Sequence, residues 1–239
     1  MQTKILKILL VMVFPLVAMS QNIVEKMNRA DLLFQARQYT QSYTIYQNLL
    51  LEKKYSTAML LKMAFIQEGL GHLGLCLYYL NLYQKASDDV QTSSKMEELA
   101  EKHRLEGYQS SDNSHILHYF QKNNIQIQIT FGAFLLFSFV LLAYQKRKRK
   151  DLVASSIAVF FFASLFLAVS NWGSGYRLAI ISASPTYLMR DPSAGSSVIA
   201  IVEEGHRLTI EGQQDVWLKV QWRDKDAFIK EHNVLQILL

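Results

Sequence analysis

The chain has 239 residues, half of them apolar and 19% charged, with 3 prolines, 10 glycines and a mean hydropathy of +0.07, which excludes a disordered, low-complexity or collagen-like protein. The single cysteine, Cys76, excludes a disulfide scaffold and any site built from several thiolates. The net charge is +5, but Lys4, Lys7 and the run Lys146 to Lys150 hold seven of the 25 basic residues; the remaining 18 face 20 acidic ones, which leaves no nucleic-acid-binding surface.

Residues 1–20 have the three parts of a secretory signal. Lys4 and Lys7 form the positive start, Ile8 to Val17 a short apolar core, and Ala18 and Ser20 the small residues a signal peptidase needs. An apolar run this short does not comfortably span a bilayer core of roughly 30 Å. No cysteine follows it, which excludes lipoprotein processing.

Residues 21–122 predict an all-helical domain. Apolar and aromatic positions recur at three and four residues and proline is absent. A shift of 34 residues places Ala30 on Ala64, Ala36 on Leu70, Tyr39 on Leu73, Ser42 on Cys76 and Tyr46 on Leu80. Small residues at such positions let antiparallel helices approach closely, and large ones fill the space between turns. On these residues the segment resembles tetratricopeptide-type helical repeats, from residue 24 to roughly 104. It departs from that family in lacking a closing proline and a tryptophan. Asp88 to Ser94 is expected to link to a further helix, Lys95 to Tyr108, and Asp88-Asp89 reads as a helix N-cap and not as a cation site. Ser110 to Ser114 then turns into an amphipathic stretch.

Two uncharged apolar runs, 127–144 and 152–171, each match the length of a membrane-spanning helix and together predict a transmembrane hairpin. They carry eight of the 13 phenylalanines, and Tyr144 and Trp172 sit at their ends as headgroup anchors. Between them, residues 145–151 contain Lys146, Arg147, Lys148, Arg149 and Lys150. Short basic loops stay cytoplasmic, so both flanking domains are expected outside. The signal segment independently exports residues 21–126, and two spans return the C-terminus to the same side.

After the glycine-containing stretch 173–175, residues 176–239 alternate at period two between turn residues and predict a small all-β barrel. The residues Tyr187 to Arg190, Asp191 to Ser193, Val198 and Ile199, Gly205, Trp217 to Val220 and Ala227 to Ile229 resemble the bacterial SH3 (type 3, SH3b) module. Ala227-Phe228-Ile229 stands where that family usually has Gly-Trp-Val. Tyr187, Trp217, Trp222 and Phe228 are the aromatics available to line a peptide groove. The other reading is that two or more of them fill the core of so small a barrel.

No nucleophile-elbow, zincin, phosphate-loop or dinucleotide motif occurs, so an enzyme is not expected, nor a cofactor. Cys76 reads as a small buried packing residue. His115 and His118 make at most two ligands and no closed metal site. Glu203, Glu204, Gly205 and His206 read as a hairpin turn with solvated charges. The order signal, helical repeats, membrane hairpin and SH3-like barrel resembles the BatE-type proteins of the Bacteroides aerotolerance (Bat) operon. That resemblance implies a non-catalytic scaffold in the bacterial inner membrane, with both large domains periplasmic. It also implies protein partners of von Willebrand A-domain and MoxR-type ATPase class. A cell-wall sensor whose barrel binds peptidoglycan is the alternative.

Overall fold

Helix punctuation follows residues that stop or start the backbone pattern. The computed structural model describes residues 22–87, 89–109, 123–149, 151–172, 177–223 and 225–239; among these described residues, five helices precede a pair of long apolar helices. The five are α1 (22–35), α2 (Tyr39–Leu51), α3 (Thr57–Gly69), α4 (Leu73–Ser87) and α5 (Val90–His103). Arg37 breaks α1 from α2 with φ 60°, and Gly71, 34 residues later, breaks α3 from α4 with φ 78°. Ser56 caps α3 by accepting from Met59 N–H. The signal segment 1–20, Asp88, the Ser110 to Ser114 turn, His115, His118, Lys150 and the stretch 173–175 lie outside the described residues.

The 34-residue shift relates one helical pair to the next. Ala30 and Ala64, Ser42 and Cys76, and Tyr46 and Leu80 are buried at matching positions of the two pairs. In the first pair Ser42 Oγ donates to the Ala30 carbonyl at 2.8 Å, so two small residues bring α2 onto α1. The fifth helix corrects the expectation of a linker over Asp88 to Ser94 and a helix over Lys95 to Tyr108. Asp89 accepts from Gln91 N–H and starts α5 one turn earlier. The buried face Thr92, Met96, Leu99 and Ala100 keeps helical spacing through that first turn. Arg104 ends the helix in the left-handed conformation, and Gly107, at φ 93°, leaves the helical region altogether.

Seven strands follow residue 176: β1 (Arg177–Ile181), β2 (Thr186–Met189), β3 (Val198–Val202), β4 (Arg207–Gln214), β5 (Trp217–Trp222), β6 (Lys225–Lys230) and β7 (Val234–Gln236). They form one antiparallel sheet in the order β3-β2-β6-β5-β4-β1-β7. Its core holds Leu188, Leu208, Leu218, Val220, Trp222 and Ile229. β1 is buried on both faces. Ala179 and Ile181 face the sheet core, whereas Leu178 and Ile180 join the core of the helices together with Ile237. The helices up to Tyr108 and the strands from Arg177 therefore share a core and form one compact unit. Gly74, in the first turn of α4, allows this approach, because a Cβ there would lie 3.1 Å from the Ile181 carbonyl.

A second unit contains α6 (Asn124–Arg147) and α7 (Val153–Trp172), both long and apolar enough to cross a membrane. At about 1.5 Å per residue, 24 and 20 residues give roughly 36 and 30 Å. Phe134 stacks on Phe162 with centroids 5.4 Å apart, and Gly132 faces Phe166 closely. Buried Ser138 and Ser155 return their hydroxyls to Phe134 and Leu152 carbonyls, the small-residue packing expected between membrane helices. α6 runs beyond its expected span of 127–144 at both ends, and α7 lies within one residue of the expected 152–171. Lys146 and Arg147 form the last turn of α6, where cations complement the helix dipole, and Lys148 and Arg149 make the turn.

Candidate functional site

Strand periodicity separates the four aromatics expected to line a groove. Trp222 shares the inner face with Leu218 and Val220 and is a core residue, with its ring edge-on to His206 at 5.1 Å. Tyr187, Met189, Trp217 and Phe228 lie on the outer face. There Trp217, Phe228 and Met189 close over one another as a small buried cluster, with Lys230 Nζ 5.5 Å from the Trp217 ring. Of the four, only Tyr187 is open, at 50% exposure, opposite the still more open Ile201 of β3. The outer face thus offers a short apolar strip at the β2–β3 edge, and Trp222 takes no part in it.

Three helices bring a second aromatic surface together. Phe34, Tyr39 and Phe65 meet edge to face with centroids 5.4–5.9 Å apart, and Phe65 is 53% exposed. Lys62 reaches over the Phe34 ring and pairs with Asp31 at 2.7 Å. Asp31 also accepts from the buried Tyr46 hydroxyl, which fixes α1 against α2 and α3.

The most polar part of the unit lies where residues 104–108 cross the sheet. Glu106 N–H donates to His206 Nδ1 at 2.9 Å, and Arg207 N–H donates to the Glu106 carbonyl at 3.0 Å. Arg207 Nε donates to the Gly107 carbonyl at 2.7 Å, and its guanidinium covers the Tyr108 ring at 4.6 Å. The Tyr108 hydroxyl donates to the Gly205 carbonyl at 2.7 Å. Arg223 engages both carboxylate oxygens of Glu106. A Cβ on Gly107 would overlap the Arg207 carbonyl, so only glycine fits. His206 accordingly lies in this contact, in correction of the solvated turn expected for it.

The electrostatics follow from these partners. The Arg223 guanidinium holds the Glu106 carboxyl below the ordinary carboxylate range, and burial holds His206 below the ordinary imidazole value. Burial raises Tyr108, so its hydroxyl remains a donor. Burial also pushes the Cys76 thiol up to about 12, so the side chain is no nucleophile at neutral pH. Among the described residues no group of three or more His, Cys, Asp or Glu side chains comes together as a metal site.

The sequence placed residues 105–108 at the end of a helix from Lys95 and singled out neither Glu106 nor Arg223, whereas the helix ends at His103. One signal was present. The unbroken apolar run Leu178-Ala179-Ile180-Ile181 marks a strand buried on both faces, not one side of a free-standing sheet. Comparisons with protein-family models, with characterised proteins and with solved structures gave no match to this chain.

Proposed function

We propose that this chain is a two-pass membrane scaffold that docks protein partners on one composite surface, made of tetratricopeptide-type helical pairs and a bacterial SH3-like barrel. The observation that carries this reading is the aromatic cluster of half-buried Phe34 and Tyr39 with Phe65, whose ring is 53% exposed and continues the cluster into solvent. The open Tyr187–Ile201 strip adds a second apolar contact on the same unit. The two helices able to cross a membrane supply the anchor. The basic residues Lys146 to Arg149 favour a cytoplasmic turn, which puts the docking unit on the outer side of a bacterial inner membrane. The resemblance to BatE-type proteins extends the proposal to partners of von Willebrand A-domain and MoxR-type ATPase class. In the test, tagged full-length chain is purified from crosslinked membranes of its own host. Phe65→Glu should reduce co-purified partner protein at least 10-fold, and Tyr187→Glu by a smaller factor. Undiminished co-purification with both charges present would refute docking through these faces.

A further inference from the structure

The pair α6 and α7 carries its charge at one end only. From 123 to 172 the charged residues are the five bases Lys146 to Lys150 and the acid Asp151. The opposite end, where α6 begins at Asn124 and α7 stops at Trp172, has none. Helix geometry accounts for part of the cluster, since Lys146 and Arg147 complement the negative end of α6. Lys148 and Arg149 lie past that helix, and the main chain of the turn closes without their side chains. Lys148 N–H donates to the Tyr144 carbonyl at 3.0 Å, and Arg149 N–H to the Lys146 carbonyl at 3.2 Å. Asp151 is spent on α7, its Oδ1 accepting from Val153 N–H at 3.1 Å. Among the described residues, Lys146, Arg147, Lys148 and Arg149 are all exposed and no carboxylate forms an ion pair with them.

Position decides which anion neutralises them. Along the helix axis Lys146 and Arg147 lie roughly 3 and 5 Å beyond Tyr144. The Tyr144 ring has Lys148 Nζ 5.8 Å from its centroid, and an aromatic ring at the end of an apolar helix marks the headgroup level. Arg149, at φ 48°, turns the chain back, and α7 resumes at Val153. The cations therefore stay close to that level, inside the roughly 8 Å over which surface charge acts in physiological salt. Lipid phosphates already stand there, whereas an acidic protein would have to come down onto the bilayer to reach so short a turn.

We propose that Lys146, Arg147, Lys148 and Arg149 form a binding site for anionic phospholipid, holding the headgroup phosphates of the leaflet at this end of the pair. Arg147 and Arg149 supply planar forks that engage two phosphate oxygens at once, and Lys146 and Lys148 supply compact charges. A zwitterionic headgroup brings its own ammonium and gains little here, so the site selects net negative charge. Each basic residue near an anionic surface strengthens binding about fivefold. The inference rests on the two-pass reading of α6 and α7, and gives a ligand to residues which that reading uses for orientation alone.

The test uses purified full-length protein in uncharged detergent, where orientation has no meaning. It is equilibrated with equal amounts of phosphatidylglycerol and phosphatidylcholine of identical chains, and the retained lipids are counted by native mass spectrometry. The wild type should retain phosphatidylglycerol at least 10-fold over phosphatidylcholine, and raising salt to about 0.5 M should shrink that excess. The variant K146Q/R147Q/K148Q/R149Q should prefer phosphatidylglycerol by no more than about twofold. K53Q/K54Q, at two exposed bases of the helical unit, should leave the wild-type preference intact. If the fourfold variant loses helical ellipticity, K148Q/R149Q, altered only past the end of α6, takes its place and should lower the preference at least 5-fold. Equal retention by the wild type, or a preference that survives these substitutions in a folded chain, overturns the proposal. So does a preference abolished by millimolar glycerol 3-phosphate, which would assign the site to a soluble phosphate. A photoreactive residue at Lys148 that yields protein adducts and no lipid adduct in native membranes would assign the turn to an acidic partner and overturn it too. An intact lipid preference beside a reporter that places the turn outside would correct the topology and leave the site standing.

Discussion

Leu77→Ala would show whether the helices and the sheet unfold as one body. Leu77 is fully buried on α4, in the core that also contains Ile180 and Ile237 from the sheet, and its side chain comes close to Gly205. Truncation removes about three methylene-sized groups from water exclusion and leaves a cavity among rigid neighbours, a loss of about 2–5 kcal/mol. For a unit of this size that corresponds to a fall in melting midpoint of roughly 5–15 °C. Trp217 and Trp222 are buried within the sheet, far in sequence from the substituted helix, so their fluorescence reports sheet unfolding. Ellipticity at the helical band reports α1 to α5 above a background from the membrane pair. Both signals should move down together by the same amount. A fluorescence midpoint within a degree of wild type, with ellipticity lost early, would mean that the shared core does not couple the two parts.

Ser42→Phe should destabilise the same unit by roughly 1–3 kcal/mol in a thermal melt, because the site is closed and its hydroxyl bonds the Ala30 carbonyl. Cys76→Ala should leave partner binding unchanged in the co-purification assay, since the thiol is buried and protonated. Acidification should weaken the unit in two stages. Burial depresses His206 beside Glu106, Glu203 and Arg223, so below about 6.5 the unfolded chain takes up a proton that the folded chain resists, and stability falls as pH drops from 7 to 5. Glu106, depressed by Arg223, adds a further loss as pH falls below about 4.3 and through its lower folded value. In denaturant titrations His206→Gln should flatten the first decline and leave the second. Replacing Lys146, Arg147, Lys148, Arg149 and Lys150 by neutral residues should give mixed orientation of a reporter fused after Leu239, where the parent shows one.

Local physics made part of this molecule legible in its sequence. The two candidate membrane spans are legible because crossing lipid demands a long uncharged run, and α6 and α7 are long and apolar enough to meet that demand. The helical pairs are legible because close approach demands small residues at fixed spacing, and Ala30, Ser42, Ala64 and Cys76 are all buried. The start of α5 was obscured by Thr92, Ser93 and Ser94, polar residues that an Asp89 cap readily carries into a helix. The groove assignment failed for Trp222 because an aromatic in a short strand is equally suited to either face, and register alone decides. The contact of residues 105–108 with the sheet joins positions about a hundred residues apart, across both membrane helices. No local period encodes such a pairing; it depends on two surfaces matching after each has folded.

Site-specific photocrosslinking of the full-length chain in its native membrane tests the docking claim most directly. A photoreactive amino acid is placed at Phe65, at Tyr187 and, as a control on another exposed surface, at Lys26. The scaffold account predicts discrete protein adducts from Phe65 and Tyr187 and none from Lys26. Adducts with lipid alone, or no protein adduct at either aromatic position, would contradict it.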